Sequence, residues 1–200
     1  MVTKDERPAT KDDAIVDIVV KVGGGLLGAP AHFDAVLAAI AHASSASRIL
    51  IVPGGGPFAE TVRQVDREFG LTDDAAHWMA VLAMDQYAHL ITSRVPRGAL
   101  ATDASEVAAA FSAALVPVLA ISRWLRDADP LPHTWAVTSD SIAAWVASAV
   151  GARRLVLVKP PEARSRDAVD AYFDRALTAG VTSTVVPADD PGALRLALHV

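Results

Sequence analysis

Two hundred residues, 52% of them hydrophobic and 20% charged, suffice to bury one core or two closely fused lobes, and exclude a disordered chain. A net charge of −5 and a pI near 5.6 leave no broad basic surface for a polyphosphate backbone, so nucleic acid is not an expected partner. Cysteine is absent, which excludes disulfides and thiolate chemistry, fits a reducing compartment and leaves only carboxylates and histidines as metal ligands.

Residues 1–14, MVTKDERPATKDDA, read as a frayed, charged tail without the apolar run of a signal peptide, ahead of a single domain over 15–200. No stretch approaches the roughly 18 apolar residues of a membrane span, and a cytoplasmic protein is expected. The β-branched run IVDIVVKV at 15–22 predicts a strand that ends in a glycine triplet, and the periodicity of 30–43 predicts a helix after it. The unit repeats: RILIVP at 48–53 meets Gly54, Gly55 and Gly56, then a helix from about Pro57 to Phe69 with proline in its first turn. A long helix is predicted from Asp73 to Thr92, capped by Thr72. Further strands are predicted at 114–120, 153–159 and 182–187. Helices are predicted at 139–152, at 166–178 and after Pro191. Apolar strands alternating with helices imply an α/β fold, an αβα sandwich around a mostly parallel sheet. Ile121 to Trp135, which contains Pro130 and Pro132, is expected to be a flexible loop and a candidate lid.

In such a sheet ligands gather beyond the carboxyl ends of the strands, where both triplets fall. Glycine lets the backbone approach an anion, and the helix behind it offers unpaired N–H groups and partial positive charge. Two such loops point to two phosphoryl-bearing groups; the plainer reading makes each a tight turn. Gly23-Gly24-Gly25-Leu26-Leu27-Gly28 also satisfies G-x-G-x-x-G, but the acid expected about 20 residues on is replaced by Pro53-Gly54-Gly55-Gly56, which argues against a dinucleotide. Neither loop is a Walker A motif. Lys21, near the end of an apolar strand, is expected to face an anion at the loop, since an unpaired buried ammonium is costly. On the long helix His77, Val81, Asp85 and His89 recur at i+4. That polar stripe is a candidate for recognising an amine, with Asp85 as counter-ion, or else an Asp85–His89 surface pair; a metal there would lack a third ligand. Trp124 and Trp135 either close over an aromatic ring or anchor packing.

VVKVGGGLLG, ILIVPGGGPFAETVR and TSDSIAAWVASAVGARRLVLVK, in this order and over nearly the whole chain, resemble the amino acid kinase superfamily. PGGGPFA followed by AAHWMAVLAMDQYAHLI is most similar to its short branch of (5-(aminomethyl)furan-3-yl)methyl phosphate kinases, of methanofuran-type cofactor synthesis. The resemblance implies transfer of the ATP γ-phosphoryl group, with Mg2+, to a small acceptor that is itself phosphorylated. It makes Lys21 and Gly23, Gly24 and Gly25 the holders of the transferred group and Gly54, Gly55 and Gly56 the holders of the acceptor, whose amine the stripe of His77 and Asp85 is the candidate to recognise. Asp140 in TSDS would orient lysine and magnesium without the protein ligating the metal directly; its plainer role is a helix N-terminal acid. Relatives place an Asp-x-x-Gly-type turn and a later lysine where this chain has Lys159-Pro160-Pro161-Glu162-Ala163 and no lysine beyond. Lys159 is therefore the candidate second catalytic cation, with Arg153, Arg154 and Arg164 as substitutes. The resemblance further implies an acceptor-binding part at about 15–120, a nucleotide-binding part at about 121–200, and a homo-oligomer. The alternative is a binding protein of the same fold that holds a phosphometabolite or oxoanion without transfer.

Overall fold

β-Branched runs buried on both faces make the centre of this molecule. The structure is a computed structural model that describes residues 16–162 and 169–199; the expected tail, Arg164 and the start of the helix expected at 166–178 lie outside the described residues. Six strands pair in parallel in the order β3-β4-β2-β1-β5-β6. They are β1 (Ile18–Val22), β2 (Ile49–Pro53), β3 (Gly98–Ala101), β4 (Val116–Leu119), β5 (Arg154–Lys159) and β6 (Thr182–Pro187). The helices are α1 (Pro30–Ala43), α2 (Gly56–Phe69), α3 (Asp73–Arg94), α4 (Ala104–Ser112), α5 (Ser122–Ala128), α6 (Ser139–Ala149), α7 (Phe173–Ala176) and α8 (Pro191–Leu198). β1 lies between β2 and β5, Lys21 opposite Val52 on one side and Leu157 on the other. The chain leaves β1 in one direction to β2 and later returns on its other side to β5, which opens a crevice at the carboxyl end of β1.

Alternation along the strands splits the core. Val20, Val22, Ile51, Val118, Val156 and Val158 pack with α1, α8 and the Tyr87–Ile91 end of α3. Val19, Leu50, Val52, Leu155 and Leu157 pack with α5, α6 and Val81 and Met84 of α3. Lys21 and Lys159 fall on the second parity, at the strand ends beneath the start of α6. Caps place the helices: the side chains of Thr72, Asp103, Thr138 and Asp190 accept from N–H groups of the first turns of α3, α4, α6 and α8.

Four elements differ from expectation. β3 and α4 were not predicted, because GALA carries little β-propensity and survives as an edge strand by pairing with β4. Half of the expected loop at 121–135 is helix α5: Leu125 is buried, Trp124 packs on Trp145 with ring centroids 5.3 Å apart, and Asp85 accepts from the Ser122 N–H. The helix expected at 166–178 is, over its described part, only the single turn α7; Asp170 is drawn instead into contacts with α6. No described helix is long and apolar enough to cross a membrane.

Candidate active site

The two glycine loops lie against each other at the carboxyl ends of β1 and β2. Gly23 and Gly54 continue the sheet, donating to the carbonyls of Val158 (2.9 Å) and Val22 (2.8 Å). A Cβ on Gly24 would stand 2.2 Å from the backbone of Gly56, and one on Gly54 2.8 Å from the Gly24 nitrogen. Only glycine allows this contact, so the triplets join loop to loop as well as baring N–H groups. Gly56 begins α2 at φ +57°, a conformation glycine adopts without strain. Gly24, Gly25, Gly55 and Gly56 line a cleft of about 700 Å³ together with Lys21, Asp140 and Lys159; Gly23 and Gly54 stand behind it. The starts of the 3-10 turn Gly24–Gly28 and of α2 both border the cleft, and helix starts leave N–H groups without intrahelical partners.

At the floor, Lys21 Nζ lies 2.7 Å from Asp140 Oδ1, and Lys159 Nζ lies 2.5 Å from Asp140 Oδ2. All three residues are buried. Burial alone would raise the Asp140 carboxyl, but Lys21 and Lys159 outweigh it and hold it below the usual carboxylate range. Burial, then the Lys21 charge, push the Lys159 ammonium down, against the pull of Asp140 and Asp170. Two ammonium groups on one carboxylate leave a net positive charge beside two glycine loops, which is what an incoming phosphoryl group requires. Asp140 sits in the first turn of α6, where the helix end further favours its charge.

The outer cleft is built by α2, α3 and the segment 129–138. Arg63 of α2 lies over the Trp135 ring at 4.5 Å, and the indole N–H donates to Asp66 Oδ2 at 2.7 Å, so Trp135 is tied to α2. His77 lines the cleft and stacks on His133, centroids 4.1 Å apart. Burial, with the His133 charge, lowers the His77 pKa to about 4. His133 meets Asp74 Oδ1 at 2.7 Å and Asp129 Oδ1 at 2.9 Å, one carboxylate per ring nitrogen, an arrangement fully satisfied by the imidazolium.

The structure brings Lys21, Asp140, Lys159, both loops and His77 together, and leaves Asp85 and His89 apart. Each i+4 step on a helix of 3.6 residues per turn drifts by about 40°, so His77 and Val81 reach the cleft while Asp85 turns away to accept from Ser122 N at 3.1 Å. Trp124 packs in the core; Trp135 lines the cleft. Arg154 donates to the carbonyls of Ala197 and His199, away from the cleft. Sequence reasoning missed Asp170, His133 and Tyr87. Tyr87 is wholly buried and its hydroxyl donates to the Gly23 carbonyl at 3.3 Å. Nothing local flagged it, because a tyrosine amid apolar helix positions reads as core.

Residues 18–160 match the amino acid kinase family. The chain belongs to that family. Over 176 residues it is 25% identical to the [5-(aminomethyl)furan-3-yl]methyl phosphate kinase of Methanocaldococcus jannaschii, covering 86% of this chain and 74% of that one. Among solved structures it is similar to the UMP kinase of Ureaplasma parvum (TM-score 0.60, 16% identity, 92% of this chain and 84% of that one). It is also similar to the uridylate kinase of Archaeoglobus fulgidus (TM-score 0.55, 19% identity, 72% of this chain). The likeness to the two solved structures is one of fold, and the matched part spans 62% of the Archaeoglobus chain. Within the family, the Lys21–Asp140–Lys159 cluster lies inside the matched region and Asp170 beyond it. Among the described residues no group of three histidines, aspartates or glutamates is placed to hold a metal ion.

Proposed function

We propose that this amino acid kinase family member transfers the γ-phosphoryl group of ATP to a small, already phosphorylated acceptor of the aminomethylfuran type, giving a diphosphate. The observation that carries the reading is the Lys21–Asp140–Lys159 cluster at the meeting of two glycine loops. Phosphoryl transfer through a loose transition state asks mainly for positioning and for cations around the moving group. Asp140 holds both ammonium groups in place, Lys159 by a hydrogen bond to Oδ2 and Lys21 by an ion pair with Oδ1. Lys21 and the Gly24–Gly25 N–H groups would receive the transferred group, and Gly55–Gly56 at the start of α2 the acceptor phosphate, with Gly23 and Gly54 supporting them from behind. Lys159 would neutralise charge on the nucleotide side. Both Asp140 oxygens already meet ammonium groups, so Mg2+ fits this donor set only as an ion carried on the nucleotide's phosphates, where it would add charge neutralisation. His77, held neutral, lines the acceptor end; Asp85 does not join it there, and its present contact with the start of α5 would have to break for it to serve as counter-ion.

In this reading the chain up to about residue 120 supplies most of the acceptor side and the remainder the nucleotide side. The protein works in the cytoplasm as a homo-oligomer, with exposed Met79 and Leu82 on one face of α3 as contact residues; light scattering of the purified protein checks the assembly. A second reading, a binding protein without transfer, draws on Pro160, whose ring stands where a Cβ on Gly25 would reach, at 2.5 Å. Incubation with ATP, Mg2+ and [5-(aminomethyl)furan-3-yl]methyl phosphate, with UMP as a rival acceptor, separates them. ADP formation that depends on the furan phosphate supports the first reading. Binding without ADP formation supports the second.

A further inference from the structure

Asp170 lies ten residues beyond the region matched to the family, yet it is the most heavily engaged carboxylate near the cluster. Its Oδ2 accepts from the Thr138 N–H (2.9 Å), the Thr138 hydroxyl (2.7 Å) and the Ser141 N–H (3.1 Å). Its Oδ1 accepts from the Ser141 hydroxyl and from the Tyr172 N–H (3.1 Å). Thr138 and Ser141 bracket Asp140. The Thr138 hydroxyl that donates to Asp170 is itself the oxygen facing the Asp140 N–H, at 3.4 Å. Asp170 thus does from about 30 residues away what an N-cap side chain does locally: it satisfies N–H groups that the first turn of α6 would leave unpaired.

We propose that Asp170 is a positioning residue, which fixes the first turn of α6 so that Asp140 reaches Lys21 and Lys159 at once. A carboxylate can bridge two ammonium groups at 2.7 and 2.5 Å only if its backbone is held. A shift of about 1 Å in such a site can cost on the order of a hundredfold in rate. The five donors come from both sides of Asp140 and from Tyr172, so the hold acts on translation and rotation of the turn together. The negative charge of Asp170 also offsets the excess ammonium charge at Lys159. The inference rests on reading the cluster as the reacting centre, and its test is chosen to stand apart from turnover.

The chain has four lysines, at 4, 11, 21 and 159, so a lysine-selective NMR spectrum is sparse enough to assign with Lys21→Arg and Lys159→Arg. In the otherwise native protein, Asp170→Asn keeps side-chain size but turns one acceptor into a donor. The Lys21 and Lys159 side-chain signals are expected to shift together and their hydrogen exchange to quicken. Val146→Ala, which trims the buried middle of α6 without touching its first turn, is expected to lower the melting temperature and leave those signals in place. Ser141→Ala, a milder change that removes one donor, is expected to move them in the same direction as Asp170→Asn; it decides the matter should Asp170→Asn not fold. Lysine signals unchanged in Asp170→Asn, or equally disturbed in Val146→Ala, would overturn the proposal. In the kinase assay Asp170→Asn is expected to lower kcat roughly ten- to a hundredfold with KM for ATP little changed. A wild-type protein without turnover would sink the kinase reading alone, since the lysine signals still report on Asp170.

Discussion

Lys21 and Lys159 share one carboxylate, and the consequences of removing each partner differ. Asp140→Ala removes the carboxylate that two buried ammonium groups share, and is expected to destabilise the fold by about 3–5 kcal/mol as well as abolish turnover. Lys21→Ala leaves the Asp140–Lys159 pair intact, so the fold is expected to survive while turnover falls by at least about a hundredfold. Urea denaturation and steady-state kinetics on the two variants check this contrast. Lys21 and Asp140 were legible in the sequence because a lysine at the end of an apolar strand and an acid opening an apolar helix each need a reason. The pairing of Lys159 with Asp140 was not legible, since it depends on β1 and β5 being neighbours with both lysines on one face. Asp85 shows the converse: it stands two i+4 steps from His77 on the same stripe, and the drift over those two steps carries it away from the cleft.

At the scale of elements, the glycine loops and the segment 129–138 decide the shape of the cleft. Gly24→Ala drives a Cβ into the backbone of Gly56 and is expected to cost about 1–3 kcal/mol, whereas Gly28→Ala, with open space around it, is expected to be near neutral; thermal melts compare the two. The glycine patterns were readable, but their mutual contact was not, because no local signal says that one loop packs on another. The 129–138 segment is held to α3 through His133 and to α2 through Trp135. Burial opposes the charge on His133, but its hydrogen bonds to Asp129 and Asp74 outweigh this and raise its pKa above 6.5. Its stabilising contribution is therefore complete below pH 6.5 and lost as pH rises through the raised folded value. His77 works the other way: its folded pKa of about 4 means stability is lost as pH falls from about 6.5 toward 4. The melting-temperature gap between wild type and His133→Gln is expected to narrow as pH rises from about 6 to about 9, through the raised His133 value. A gap that widened with pH would contradict the clasp.

Across the whole molecule, the αβα order was legible because each central strand is a continuous apolar run and each glycine loop stops one cleanly. What escaped was either weakly patterned, as in Gly98–Ala101, or defined by distant partners, as in α5 and the Asp170 turn. In the proposed reaction one cleft, floored by Lys21, Asp140 and Lys159, moves a phosphoryl group from ATP. Phosphorus NMR of the protein with ATP, Mg2+ and [5-(aminomethyl)furan-3-yl]methyl phosphate tests it most directly. ATP is expected to convert to ADP while the acceptor monoester signal gives way to a diphosphate, and Lys21→Ala is expected to stop both. An unchanged ATP spectrum, or conversion that persists in Lys21→Ala, would contradict it.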